Sequence, residues 1–200
     1  MLEDKINEAV SGEFTLSGLT AENEDVCSLS CAKTDFESLK LTKCRFTDCD
    51  FTGAYFADCT FENCSFSGCR FEKSYFKNVT LRYCKLDGSI FRQSTLRKLT
   101  ASGSSFNYCD FSEALLDEIK LTECEMREAF LSQCRFKKPL FSEVNFTRAD
   151  FFGTSLKGIN LSECTIDGIM LSDSFSELKG AKVSPLQAAD LALLLGVVIV

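Results

Sequence analysis

The most reactive groups in this chain are twelve cysteines, and ten of them keep one register: Cys44, Cys49, Cys59, Cys64, Cys69, Cys84, Cys109, Cys124, Cys134 and Cys164, each a multiple of five from the next. Cysteine thiolates bind metals and act as nucleophiles. A group such as Cys44, Cys49, Cys64 and Cys69 could therefore hold a metal ion. Such sites favour CxxC-type spacing with converging sulfurs, and a five-residue beat places every one of these cysteines without any metal. The competing reading is core filler, because cysteine is small, apolar and often buried. That reading is adopted, with no metal and no cofactor. The chain has no histidine, which removes the commonest general base and metal ligand. The opening MLEDKINEAVSGEF carries no apolar signal region, so reduced thiols and a cytoplasmic location are expected.

The same beat runs through the large apolar residues. From Phe36 to Leu171 every fifth residue is apolar, for 28 repeats without a slip, 15 of them Phe and 10 Leu. The cysteine column lies two residues before each of these centres and otherwise holds small or β-branched residues. The remaining three positions carry nearly all the charge. Two inward residues spaced by two are strand-like, but a period of five fits neither a continuous strand nor a helix. The chain must turn at every repeat. Eight of the eleven glycines stand two residues after a centre, where a tight turn needs positive φ. A fixed short period predicts a solenoid.

The run CRFTD CDFTG AYFAD CTFEN CSFSG CRFEK resembles the pentapeptide-repeat family: a small residue, a polar residue, Leu or Phe, then two variable positions. The resemblance implies an all-β solenoid, a right-handed quadrilateral β-helix of four repeats per coil. It covers residues 34–173 strongly and reaches back to Phe14, with Glu24 in an inward position, giving about eight coils. At roughly 4.8 Å per coil the rod is about 38 Å long. The domains expected are a cap segment, 1–13; the β-helix, 14–173; and a helix–strand dimerisation module, 174–200. Pro139, in the inner small-residue column, predicts a local bulge, since proline donates no ladder hydrogen bond.

Assigning every fourth repeat to one face gives net charges of +2, 0, −1 and −3 over residues 34–173. The −3 face includes Asp50, Asp110, Glu113, Asp150 and Asp173, the candidate contact residues for a partner. A stripe of Arg97, Asp117 and Lys137 reads as a stabilising charge ladder. Another acidic cluster, Glu3 to Asp25, reads as a solvated end. The net charge of −7 argues against direct binding to nucleic acid.

At the C-terminus Ser184, Pro185 and Gln187 form an S-x-x-Q capping box that starts a helix. Gly196 ends it, and Val197–Val200 reads as a short strand. The stretch is too short to span a membrane. Leu186, Leu191, Leu194, Leu195, Val197 and Ile199 are the expected contacts of a homodimer. The tail resembles the dimerisation module of quinolone-resistance (Qnr-type) pentapeptide-repeat proteins. That resemblance implies a non-enzymatic DNA mimic that binds DNA gyrase or topoisomerase IV. The alternative is a protein-interaction scaffold with no topoisomerase role.

Overall fold

The computed structural model describes residues 1–194 and 196–198. It is a β-solenoid whose strands pair in parallel with a constant offset of twenty residues. Leu16 lies beside Phe36, Phe36 beside Phe56, and so on to Phe136. The four faces are named by their centres: face 1 by Leu16 and Phe36, face 2 by Ala21 and Leu41, face 3 by Val26 and Phe46, face 4 by Cys31 and Phe51. Faces 1 and 2 are each a seven-stranded sheet. Face 3 has one two-stranded pair, and the rest of faces 3 and 4 is held by single-residue bridges.

Corners make the square. Every fifth residue from Gly18 to Gly158 has φ between 47° and 78°. Most are not glycine: Asn, Asp, Lys, Glu, Gln, Tyr and Arg all occupy this left-handed conformation, which costs an L-residue about 1–2 kcal/mol. The cost is offset by the burial it allows, because each corner turns the next apolar centre inward. Every centre from Phe36 to Ile166 is buried except Phe136 and Phe141.

The core is a set of aromatic columns. Phe51, Phe71, Phe91 and Phe111 stack with centroids 5.0, 4.8 and 4.7 Å apart and planes within 9°. Neighbouring columns meet edge to face, as Phe61 does with Phe66 at 5.2 Å and 77°. Both arrangements suit the ring quadrupole. Among the described residues the interior voids are about 20 and 10 Å³, room for one water at most.

Both ends are covered. The first helix, α1 (Leu2–Gly12), buries Leu2, Ile6 and Ala9 against the first coil. Glu24, the inward charge of the repeat pattern, accepts the Leu2 N–H at 3.3 Å. The acidic opening is thus a docked helix and not a solvated, fraying end, because its apolar residues fall on one stripe. The second helix, α2 (Pro185–Leu194), begins with the expected capping box: Ser184 N–H donates to Gln187 Oε1 at 2.7 Å and Gln187 N–H to Ser184 Oγ at 3.3 Å. Gln187 Nε2 also donates to Leu161 O and Cys164 O at 2.9 and 2.6 Å, tying the helix to the last coil.

Two expectations are amended. The strand ladders account for about six turns, from Leu16 to Phe136, and not eight. Beyond Ser142, the single bridges of faces 3 and 4 carry the winding on to Met170. At the C-terminus Gly196 does end the helix in a left-handed turn (φ 75°), but Val197 and Val198 form no strand. Leu195, Ile199 and Val200 lie outside the described residues.

Candidate functional site

The acidic candidates do share face 4, but its geometry gives most of them a local task. Asp50, Asp110 and Asp150 each stand just before a centre, and each accepts the backbone N–H two residues on: Thr52 at 2.9 Å, Ser112 at 2.9 Å and Phe152 at 2.8 Å. Asparagine does the same at Asn145 and Asn160. This is the Asx-turn bond, and it holds the corner. The register column through these residues reads Ser30, Asp50, Arg70, Ile90, Asp110, Phe130, Asp150, Met170. No two acids are adjacent in it.

Cations neutralise part of the rest. Arg92 pairs with Asp110 at 2.5 Å. Burial alone would raise the Asp110 carboxyl, but the Ser112 hydrogen bonds and the Arg92 guanidinium outweigh it and hold the carboxyl below its ordinary value. Gln93 Nε2 donates to Glu113 at 2.9 Å. Asp173 is exposed. Across other corners Arg97 meets Asp117 at 3.7 Å and Lys138 meets Glu118 at 3.8 Å, as the charge-ladder reading predicts.

Charge counting missed the apolar half of face 4. Phe130, Phe152 and Met170 are 46, 51 and 50% exposed, and Asp150 sits between Phe130 and Met170 in register. The signal was present in the spacing, since these residues occupy outward positions of the five-residue beat.

The cysteine column faces the core, as filler should. It does more than fill. Sγ of Cys59, Cys109 and Cys134 lies 3.5, 3.0 and 2.9 Å from the carbonyl 23 residues earlier, in the coil below. Ser89 Oγ and Thr154 Oγ1 donate to the equivalent carbonyls of Phe66 and Leu131. The column thus supplies donors, weak ones where it holds cysteine, to the carbonyls of the buried centres in the coil below. Burial pushes Cys31 and Cys134 up to about 12 and Cys59 up to about 11, so these are inert thiols at neutral pH. Cys69 and Cys64 are raised as well, by hydrogen bonding to the stacked Cys49 and Cys84 and by burial. Among the described residues all twelve cysteines are unpaired, and no three Cys, Asp or Glu side chains converge to hold a metal ion.

The candidate dimer residues divide. Leu186, Leu194 and Val197 are exposed, whereas Leu191 packs against the core. Leu195 and Ile199 fall outside the described residues. No described helix is long and apolar enough to cross a membrane.

The repeat is decisive for the family. The pentapeptide repeat region model matches residues 54–131, and the model of pentapeptide repeats (8 copies) matches residues 30–68 and 131–168. The chain belongs to the pentapeptide-repeat family. No curated protein matches it. Among solved structures this pentapeptide-repeat chain is similar to trypsin-treated QnrB1, a plasmid-mediated fluoroquinolone resistance protein: TM-score 0.56, 19% identity, 92% of each chain covered. Full-length QnrB1 matches with TM-score 0.51 and 20% identity, over 90% of this chain and 100% of that one. HetL, involved in heterocyst differentiation regulation in the cyanobacterium Nostoc sp., gives 0.53 and 17%, over 88% and 94%. At these identities the likeness is one of fold.

Proposed function

We propose that this pentapeptide-repeat protein is a cytoplasmic, non-enzymatic homodimer that binds DNA gyrase or topoisomerase IV as a rod-shaped DNA mimic and can confer fluoroquinolone resistance. The observation that carries the reading is the fold likeness to QnrB1 over 92% of both chains, joined to a C-terminal helix with exposed Leu186 and Leu194. Asp50, Asp110, Glu113, Asp150 and Asp173 are the proposed contacts. Their charge is sparse: six turns span about 29 Å, a length of DNA that carries about 17 negative charges, against −7 for the whole protomer. The field therefore orients the rod on a basic groove more than it supplies affinity. Phe130, Phe152 and Met170 supply apolar contact area. The test is competition: the protein should displace duplex DNA from purified gyrase. DNA binding undisturbed at tens of micromolar protein would refute the reading.

The same apolar patch favours a second reading, a scaffold that docks another protein through face 4. Exposed aromatics mark protein interfaces and have no counterpart in a phosphate backbone. Recovery of a non-topoisomerase partner, lost when Asp110 and Asp150 are reversed to lysine, would support it over the first.

A further inference from the structure

On two faces the winding opens once. Strands Arg135–Lys137 and Leu140–Ser142 are the last of their seven-stranded sheets. The next coil, 155–162, bonds upward to the tail as earlier coils bond to the coil above: Leu156 N–H to Glu177 O at 2.9 Å, Gly158 N–H to Gly180 O at 2.8 Å and Leu161 N–H to Lys182 O at 2.8 Å. Among the described residues, however, the Ser155 and Asn160 amides make no bond to the coil below, whereas Thr95 and Thr100 at equivalent positions donate to Ser74 O and Val79 O, both at 2.9 Å. In earlier coils the corner amide reaches the carbonyl above it, as Lys98 does with Asp117 at 2.9 Å and Glu123 with Ser142 at 3.0 Å. Among the described residues the amides of Lys138 and Glu143, at equivalent corners, have no such bond, and neither do those of Phe136 and Phe141. Faces 3 and 4 stay joined, through Thr165 N–H to Val144 O and Met170 N–H to Ala149 O, both at 2.9 Å. The result is a slot open on two sides and closed on the other two.

The slot has the three properties of a strand acceptor. It has room: clefts of about 450 Å³ on face 1 and 240 Å³ on face 2 meet at Pro139. It has an apolar floor, since Phe136 and Phe141 are the only centres between Phe36 and Ile166 that are not buried. It has unpaired ladder groups. Proline and lysine at a strand edge often serve only to blunt it, but Pro139 removes no ladder donor here. At the same position three coils earlier on face 2, Val79 contributes its carbonyl, which accepts from Thr100 at 2.9 Å, and Pro139 keeps that carbonyl. The face 1 cleft is lined by three cations, Arg135, Lys138 and Lys157, and by no carboxylate. Lys138 lies 3.8 Å from Glu118. Among the described residues Arg135 and Lys157 make no ion pair.

We propose that this slot is a strand-addition site for an extended acidic segment of a partner protein. The segment's backbone would complete the ladder over Arg135–Ser142. Its apolar side chains would cover Phe136 and Phe141, and its carboxylates would meet Arg135, Lys138 and Lys157.

A fluorescein-labelled peptide with the sequence of residues 112–123, SEALLDEIKLTE, is a suitable probe. It carries a net charge of −3 and has the spacing of the coil that already pairs with these strands from below. Fluorescence anisotropy with the intact protein should show saturable binding, weakened on the order of tenfold when Lys138→Glu and Lys157→Glu are combined. A peptide with Gln and Asn in place of Glu and Asp should bind as weakly. Amide exchange at Phe136, Lys138, Phe141 and Glu143 should be fast in the free protein and slow in the complex. Absence of saturable binding at about 1 mM, equal binding of the neutral peptide, or amides already protected in the free protein would each overturn the proposal.

Discussion

At the residue scale, the acids of face 4 hold corners before they can greet a partner. Replacing Asp150 by Ala should lower stability by about 1 kcal/mol, the worth of one net hydrogen bond, as read by chemical denaturation. Asp110→Ala should cost more, since the Arg92 partner goes too. The Asp110 carboxyl titrates below its ordinary value of 3.8 in the folded state. Its contribution is therefore complete above that value and is lost as pH falls through the lowered one. The stability gap between the protein and Asp110→Asn should shrink between pH 7 and pH 3; a gap unchanged with pH would contradict the assignment. The cysteines make a second prediction. A thiol-specific reagent should label Cys27, the exposed one, under native conditions and all twelve after unfolding. Their inward position was legible from the register alone. Their role as donors was not, because the sequence gives no sign of which carbonyl lies 23 residues back. The serines and threonines sharing the column were the hint.

At the element scale, the five-residue beat announces each corner, and glycine marks only some of them. A period fixes where the chain must turn; the identity of the turning residue adds little when a polar residue can bear left-handed strain. Gly68→Ala should cost about 1 kcal/mol from backbone strain alone, since its new Cβ would meet nothing within 4 Å. Gly103→Ala should cost more, because its Cβ would lie 2.7 Å from the Tyr83 ring. Equal melting temperatures for the two variants would contradict this. The capping box of the second helix was legible because its four residues are local. The first helix was not read, although Leu2, Ile6 and Ala9 repeat at helical spacing, because its acids resemble a solvated tail. Pro139 announced a disturbance, but not that the following coil would leave the Lys138 and Glu143 amides without their ladder partners.

At the scale of the whole molecule, the rod and its family follow from the period, while the partner does not, because outward positions are free to vary without harm to the core. Removal of residues after Lys182 should leave a folded rod that light scattering finds monomeric; a dimer surviving the truncation would refute the tail's role. The central claim is that the rod takes the place of DNA on a type II topoisomerase. The most direct measurement is supercoiling by purified gyrase, with and without a fluoroquinolone, across protein concentrations to tens of micromolar. The account predicts inhibition of supercoiling, or protection from the drug, that weakens when Asp50, Asp150 and Asp173 are replaced by lysine. Supercoiling and drug sensitivity both unchanged across that range would contradict it.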